Sequence, residues 1–141
     1  VDGGKHVFSG RYLLAVAAVG SFYGGGYCAS PVSVVDDGLL DIVLVKVPKS
    51  RLQIPELLKI YKKGEHIGHP KFQDLLTYVR GKSVVIESEQ PAAVNCDGEC
   101  EARCESSFSV RPAAVRFIVP QGIRPHCISE NSECRNPVSL A

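Results

Sequence analysis

Two short acidic segments carry the residues best suited to chemistry, Asp97-Gly98-Glu99 and Asp36-Asp37-Gly38. Carboxylates can accept protons in acid–base catalysis, and they can ligate hard cations. Each segment also has a plainer reading. Asp-Gly is a strong hairpin signal, so Asp97-Gly98 could be only a tight turn. Asp36-Asp37-Gly38 reads as a solvated turn ahead of an apolar strand. Gly24-Gly25-Gly26 has no helix opening directly behind it, so it lacks the context of a phosphate loop and reads as a backbone bend.

Cysteine and histidine are the other reactive types. Cys96, Cys100 and Cys104 lie four apart, Cys127 and Cys134 fall near the C-terminus, and Cys28 stands alone. These spacings do not make the paired pattern of a structural zinc site, so free thiols in a reducing compartment are expected. Crowding could still let Cys96 pair with Cys100 or Cys104 on oxidation. Cys28 reads as a small buried residue. His66 has no nucleophile or metal partner near it in sequence, which favours a packing or hydrogen-bonding role. His69, beside Pro70, reads as a loop residue.

These residues need a scaffold. Sixteen Lys and Arg stand against fifteen Asp and Glu in 141 residues, so neither a nucleic-acid surface nor a charged tail is implied. The length suits one domain or part of one. Leu13 to Val19 is apolar but too short to span a bilayer, and no secretion signal is visible, so the reading is cytoplasmic. The chain has no Met and starts at Val1, which reads as a piece of something longer.

His6 to Phe8 and Arg11 to Val19 predict a hairpin around Ser9-Gly10, with the second strand buried on both faces. Gly20 to Pro31 predicts a loop. Leu39 to Val47 predicts a strand, ended by Pro48. Pro55 to Lys63 predicts a helix with Leu57, Leu58 and Tyr61 on its apolar face and Gly64 as its stop. Pro70 to Asp74 predicts a short helical turn. Leu75 to Arg80, Ser83 to Glu87, Ala92 to Cys96, Phe108 to Arg111 and Val115 to Val119 predict short strands. The fold class is mainly β: an antiparallel two-sheet sandwich with one or two short helices. Residues 1–120 form the domain, and 121–141 read as an irregular tail.

The order of three pieces, the Gly24-Gly25-Gly26 bend ahead of Pro31, Asp36 to Asp41 opening an apolar strand, and Asp97-Gly98-Glu99 after another, resembles the C-terminal half of the diacylglycerol kinase family of lipid kinases. The resemblance runs from about Val1 to Pro120. Gly64-Glu65-His66 matches a further recurring feature, while Val19-Gly20 departs from an Asn-Gly pair common in relatives. The resemblance implies that Glu99 accepts the proton of the lipid hydroxyl, with Asp97 sharing that task or orienting it. It implies a structural Mg²⁺ held by the Asp37 side chain and the carbonyls of Val34 and Leu39. ATP, the co-substrate, and the catalytic Mg²⁺ would bind chiefly to an N-terminal nucleotide-binding domain whose Gly-Gly-Asp-Gly signature does not occur in these 141 residues.

The resulting reading is the C-terminal part of an ATP-dependent kinase of diacylglycerol or a related lipid alcohol, inactive alone. Its partners would be that lipid, the N-terminal domain, a membrane surface contacted peripherally, and a second copy covering any exposed sheet edge. The competing reading is a stand-alone, non-catalytic β module that binds lipid or protein. A Gly-Gly-Asp-Gly segment upstream in the same frame would separate them.

Overall fold

The computed structural model describes residues 1–116 and residue 118. Strand β1 spans Tyr12–Ala18, and a small hairpin follows, β2 (Phe22–Tyr23) and β3 (Tyr27–Cys28). Strand β4 spans Leu40–Lys46, helix α1 Ile54–Lys63 and strand β5 Leu76–Gly81. The chain then folds into a long hairpin of β6 (Ser83–Cys96) and β7 (Glu99–Ser109). The domain is mainly β, all strand pairings among the described residues are antiparallel, and it is sandwich-like, as the sequence predicts.

Strand β4 lies at the centre of the order β1-β4-β5. That position explains its composition, because both of its faces are covered. Leu40, Ile42 and Leu44 pack with Val79 of β5 and Val84 of β6, with Ile86 and Phe108 alongside. Val43 and Val45 face the other way, onto Leu57 and Tyr61 of α1, Phe72 and Ala29. A strand covered on both faces reads as a continuous apolar run rather than an alternating one. Each such aliphatic side chain contributes about 1.5–3 kcal/mol by leaving water.

Helix α1 forms where expected. Proline occupies its first turn, and Gly64 ends it in the left-handed conformation (φ 78°), its amide donating back to Tyr61. A Cβ on Gly64 would lie 2.8 Å from the Cys28 sulfur, so the position requires glycine for space as well as for φ. Leu57 and Tyr61, one helical turn apart, are buried, whereas Leu58 points outward. A 3₁₀ turn precedes the helix at Arg51–Gln53, and another at Pro70–Phe72 seats the fully buried Phe72.

Several expectations are corrected by packing. His6 to Phe8 forms no strand: Val7 is 80% exposed, and none of the described residues covers it. The N-terminus is instead pinned by Asp2, whose Oδ1 accepts from the amides of Lys82 and Ser83 at 2.7 and 3.0 Å. Strand β1 is partly covered on both faces, Leu14 and Val16 packing on one core cluster and Tyr12, Ala15 and Ala17 on the other, but it is an edge: Leu13 is half exposed, and its outer side pairs with no described residue. The Gly20–Pro31 loop contains the β2–β3 hairpin, with Gly24-Gly25-Gly26 as its bend. Ser83 to Glu87 and Ala92 to Cys96 are one strand, joined through a register shift that accommodates Pro91. Phe108 and Ser109 end β7, but Val110 and Arg111 lie beyond it. Of the strand expected at Val115 to Val119, Val115, Arg116 and Ile118 are not in strand, and the other two residues lie outside the described residues. Residues 121–141, including Cys127 and Cys134, also lie outside them.

Candidate functional site

Asp97 and Gly98 form the two-residue turn at the tip of the β6–β7 hairpin, between the paired residues Cys96 and Glu99. Both turn residues have positive φ, 50° and 103°, as a tight hairpin with the natural strand twist requires. The Gly98 amide donates to Asn95 Oδ1 at 2.9 Å, which fixes the turn. The carboxylates of Asp97 and Glu99 stand in solvent. From Ala92 to Arg103 nearly every hairpin residue is exposed, so the tip projects well beyond the core. Glu101 pairs with Arg103 at 2.5 Å, leaving Glu99 without a guanidinium partner among the described residues.

The second site is tied to the sheet. Asp41, the second residue of β4, is fully buried and collects three donors. Ser33 Oγ donates to Oδ2 at 2.7 Å, Arg80 Nε donates to Oδ1 at 3.0 Å, and the Tyr78 hydroxyl donates to the same oxygen. Arg80 lies directly across the ladder from Asp41, and Tyr78 is two residues back on the same face of β5. Burial, then the bond to Asp41, pushes the Tyr78 hydroxyl well above the usual phenol range. Arg80 reaches further: its Nη2 donates to Asp37 Oδ2, while Asp37 Oδ1 accepts from the Leu39 amide at 2.9 Å. Burial opposes the charge on Arg80, but Asp37 and Asp41 outweigh it and raise its pKa.

The structure therefore places Val34, Asp37 and Leu39 in one loop, bound to the sheet through Arg80. It does not bring Asp97 or Glu99 to that loop. The Asp37 loop lies at the root of the long hairpin, since a Cβ on Gly38 would sit 3.1 Å from Pro112. The ten residues from Ser109 to Glu99 span roughly 33 Å along a strand. Tyr78, Arg80 and Ser33 escaped the sequence reading, which took Asp41 only as the end of the Asp36–Asp41 segment. One signal was available: an acid inside a strand of buried apolar residues must find partners.

Asp37 and Asp41 both pair with the Arg80 guanidinium, Asp36 is exposed, and Val34's carbonyl receives no hydrogen bond from the described residues. No cluster of three His, Cys, Asp or Glu able to hold a metal occurs among the described residues.

Cys96, Cys100 and Cys104 are free thiols, as expected, and the hairpin geometry opposes oxidative pairing of Cys96 with either of the others. Cys96 opposes Glu99 and Cys100 opposes Asn95, so Cys96 and Cys100 point to opposite faces. Asn95 Nδ2 reaches the Cys100 sulfur at 3.3 Å, confirming that face. Cys104 shares the Cys100 face but lies about 13 Å further along, beyond disulfide reach. All three are free and exposed, and Cys28 is buried.

His66 is fully buried, and its Nε2–H donates to the Ala29 carbonyl at 3.0 Å, with its ring centroid 4.4 Å from that of Tyr61 and the two rings tilted by 38°. Burial pushes its pKa down to about 4. It is a structural histidine, as its sequence context suggests. His69 lies in a loop and caps the Pro70–Phe72 turn, its Nδ1 accepting from the Lys71 amide.

A mainly β, sandwich-like domain with an acidic hairpin tip is thus the class defined by fold and site. The chain belongs to the family of the YegS C-terminal NAD kinase beta sandwich-like domain, which it matches over residues 1–119. It is 27% identical over 119 residues to a diacylglycerol kinase of Staphylococcus carnosus, covering 84% of this chain and 37% of the relative. It is 28% identical over 123 residues to a probable YegS-like lipid kinase of Shewanella frigidimarina, covering 87% and 37%. A probable YegS-like lipid kinase of Pseudomonas aeruginosa is 29% identical over 115 residues, covering 82% and 36%. The chain spans less than two fifths of the length of these relatives.

Proposed function

We propose that this chain is the C-terminal domain of an ATP-dependent lipid kinase that phosphorylates the hydroxyl of diacylglycerol or a related lipid. The observation that carries the reading is the family match over residues 1–119 together with Asp97 and Glu99 at an exposed, projecting tip. A carboxylate free of ion pairs and beyond the core can enter a cleft completed by a nucleotide-binding domain. There Glu99 accepts the proton of the attacking hydroxyl as the oxygen bonds to the γ-phosphorus of ATP and ADP leaves. Asp97, one residue before the turn glycine, orients Glu99 or shares its role. The loop of Val34, Asp37 and Leu39 is proposed to hold a structural Mg²⁺, which would fix the loop without taking part in the proton transfer.

The test is a radiolabelled-ATP assay of the full-length kinase. Glu99→Gln keeps the turn and removes the proton acceptor, so turnover should fall about a hundredfold to ten-thousandfold. Asp97→Asn should cost less, and the 141-residue chain alone should not turn over. Near-normal turnover of the Glu99 variant would remove it from the mechanism.

The membrane contact is proposed to lie on the flank of α1. Leu52 is 89% exposed and Leu58 46%, beside Lys49, Arg51, Lys59, Lys62 and Lys63. Exposed apolar residues with cations close in sequence suit an anionic bilayer surface. No helix of the described residues is long and apolar enough to cross a membrane. Leu52→Asp should weaken sedimentation with phosphatidylglycerol vesicles; unchanged binding would move the contact elsewhere.

A further inference from the structure

The β6–β7 hairpin is not a straight arm. Glu87 pairs with Glu105 and Ala92 with Arg103, so four residues of β6, 88–91, stand opposite Cys104 alone. A bulge of this kind bends the strand and increases its twist. It falls where support from the core ends. Below it, Val84, Ile86 and Phe108 pack with Leu40, Ile42 and Leu44 of β4. Beyond it, nearly every residue from Ala92 to Arg103 is exposed. Among the described residues, the bulge and not packing therefore sets the direction of the tip. We propose that the bulge at residues 88–91 is an elbow that aims Glu99 at the reacting hydroxyl, with Ser88 as the positioning residue that fixes its angle. The proposal rests on the reading of Glu99 as the proton acceptor.

Ser88 is placed to hold that angle. Its hydroxyl donates to the Gln90 carbonyl within the bulge at 2.7 Å and to the Cys104 carbonyl on the facing strand at 3.3 Å. One group thus ties the bulge to itself and to β7, beside Pro91, which has no N–H to give the ladder. Pro91 also fixes its own φ, which stiffens the bend. The lever beyond the elbow is long. From Cys104 to Glu99 the strand spans about 17 Å, so a change of about 10° at the elbow carries the Glu99 carboxylate about 3 Å. Proton transfer needs heavy atoms within about 2.6–3.2 Å of each other, and a misplacement of about 1 Å can cost about a hundredfold in rate.

The test is steady-state kinetics and thermal unfolding of the full-length kinase. Excision of Glu89, Gln90 and Pro91 leaves Ser88 opposite Cys104 and every other pair of the ladder in place, so it straightens the arm without unpairing the tip. It should lower kcat about a hundredfold, with KM for ATP and for lipid within about twofold of wild type and the melting temperature not lowered. Ser88→Ala should lower kcat about tenfold, and Ser88→Thr, which keeps the hydroxyl, should restore it. Combined with Glu99→Gln, the excision should cost little more, because the group it misplaces is already gone. Near-normal kcat after excision would overturn the elbow, as would a loss confined to KM or one that multiplies in full with that of Glu99→Gln. Near-normal turnover of Glu99→Gln itself would sink the proton-acceptor reading and the elbow together. If the excised chain does not fold, the Ser88 variants decide: normal turnover of Ser88→Ala, or a loss that Ser88→Thr does not recover, refutes the proposal.

Discussion

Asp41 is the residue on which the Asp37 loop depends, and Asp41→Asn is the sharpest test of that claim. The substitution keeps the shape of the side chain and removes the charge. It sets an amide where the structure presents three donors, Ser33 Oγ, Arg80 Nε and the Tyr78 hydroxyl. One amide oxygen cannot accept all three, and the amide nitrogen would face donors. Breaking a buried ion pair by removing one partner costs about 3–5 kcal/mol. Arg80 is one third exposed and can recover some hydration, so the lower end, about 3 kcal/mol, is expected. For a chain of this size, with a urea slope of about 2 kcal/mol per molar, the midpoint should fall by about 1.5 M. Equilibrium urea unfolding followed by circular dichroism measures it. Glu56→Gln is the internal comparison. Its pair with Lys71, at 2.5 Å, lies on the surface with both side chains about half exposed, so the loss should be under about 1 kcal/mol. A loss below about 1 kcal/mol for Asp41→Asn as well would refute the view that the Asp41 network holds this loop to the sheet.

Two further perturbations probe the helix side of the core. His66 has a folded pKa of about 4, below its ordinary 6.5, because burial disfavours its charged form. The unfolded chain therefore binds more protons below about pH 6.5, so His66's contribution is full above that pH and is lost as pH falls towards 4, by about 3 kcal/mol in total. Urea unfolding at pH 7, 6 and 5 should show this slope in wild type and a flatter one in His66→Gln; equal slopes would exclude His66 as its source. Gly64→Ala should lower stability by about 2–4 kcal/mol, since the new Cβ would meet the Cys28 sulfur at 2.8 Å in a left-handed backbone conformation. Thermal unfolding within a degree or two of wild type would contradict that packing.

Features fixed by neighbours in sequence were legible without a structure. Pro55, the Leu57–Tyr61 spacing and Gly64 define α1 locally, because a helix closes its hydrogen bonds within itself. Asp97-Gly98 sets a tight turn through its own backbone preferences, and β-branched residues mark β4. The order of the glycine bend, the Asp36–Asp41 segment and Asp97-Gly98-Glu99 pointed to the lipid-kinase family that the match over residues 1–119 shows. Tertiary contacts decided the rest. An apolar run such as β1 looks the same at an edge as at the centre, since periodicity records what a strand could bury and not what arrives to cover it. Ser83 to Glu87 and Ala92 to Cys96 read as two strands, yet a register shift lets one long strand run through Pro91. The Asp41–Tyr78–Arg80–Ser33 network joins residues up to 39 positions apart. No local pattern encodes that meeting, because it exists only once antiparallel pairing sets Arg80 across from Asp41 and burial makes every donor there necessary.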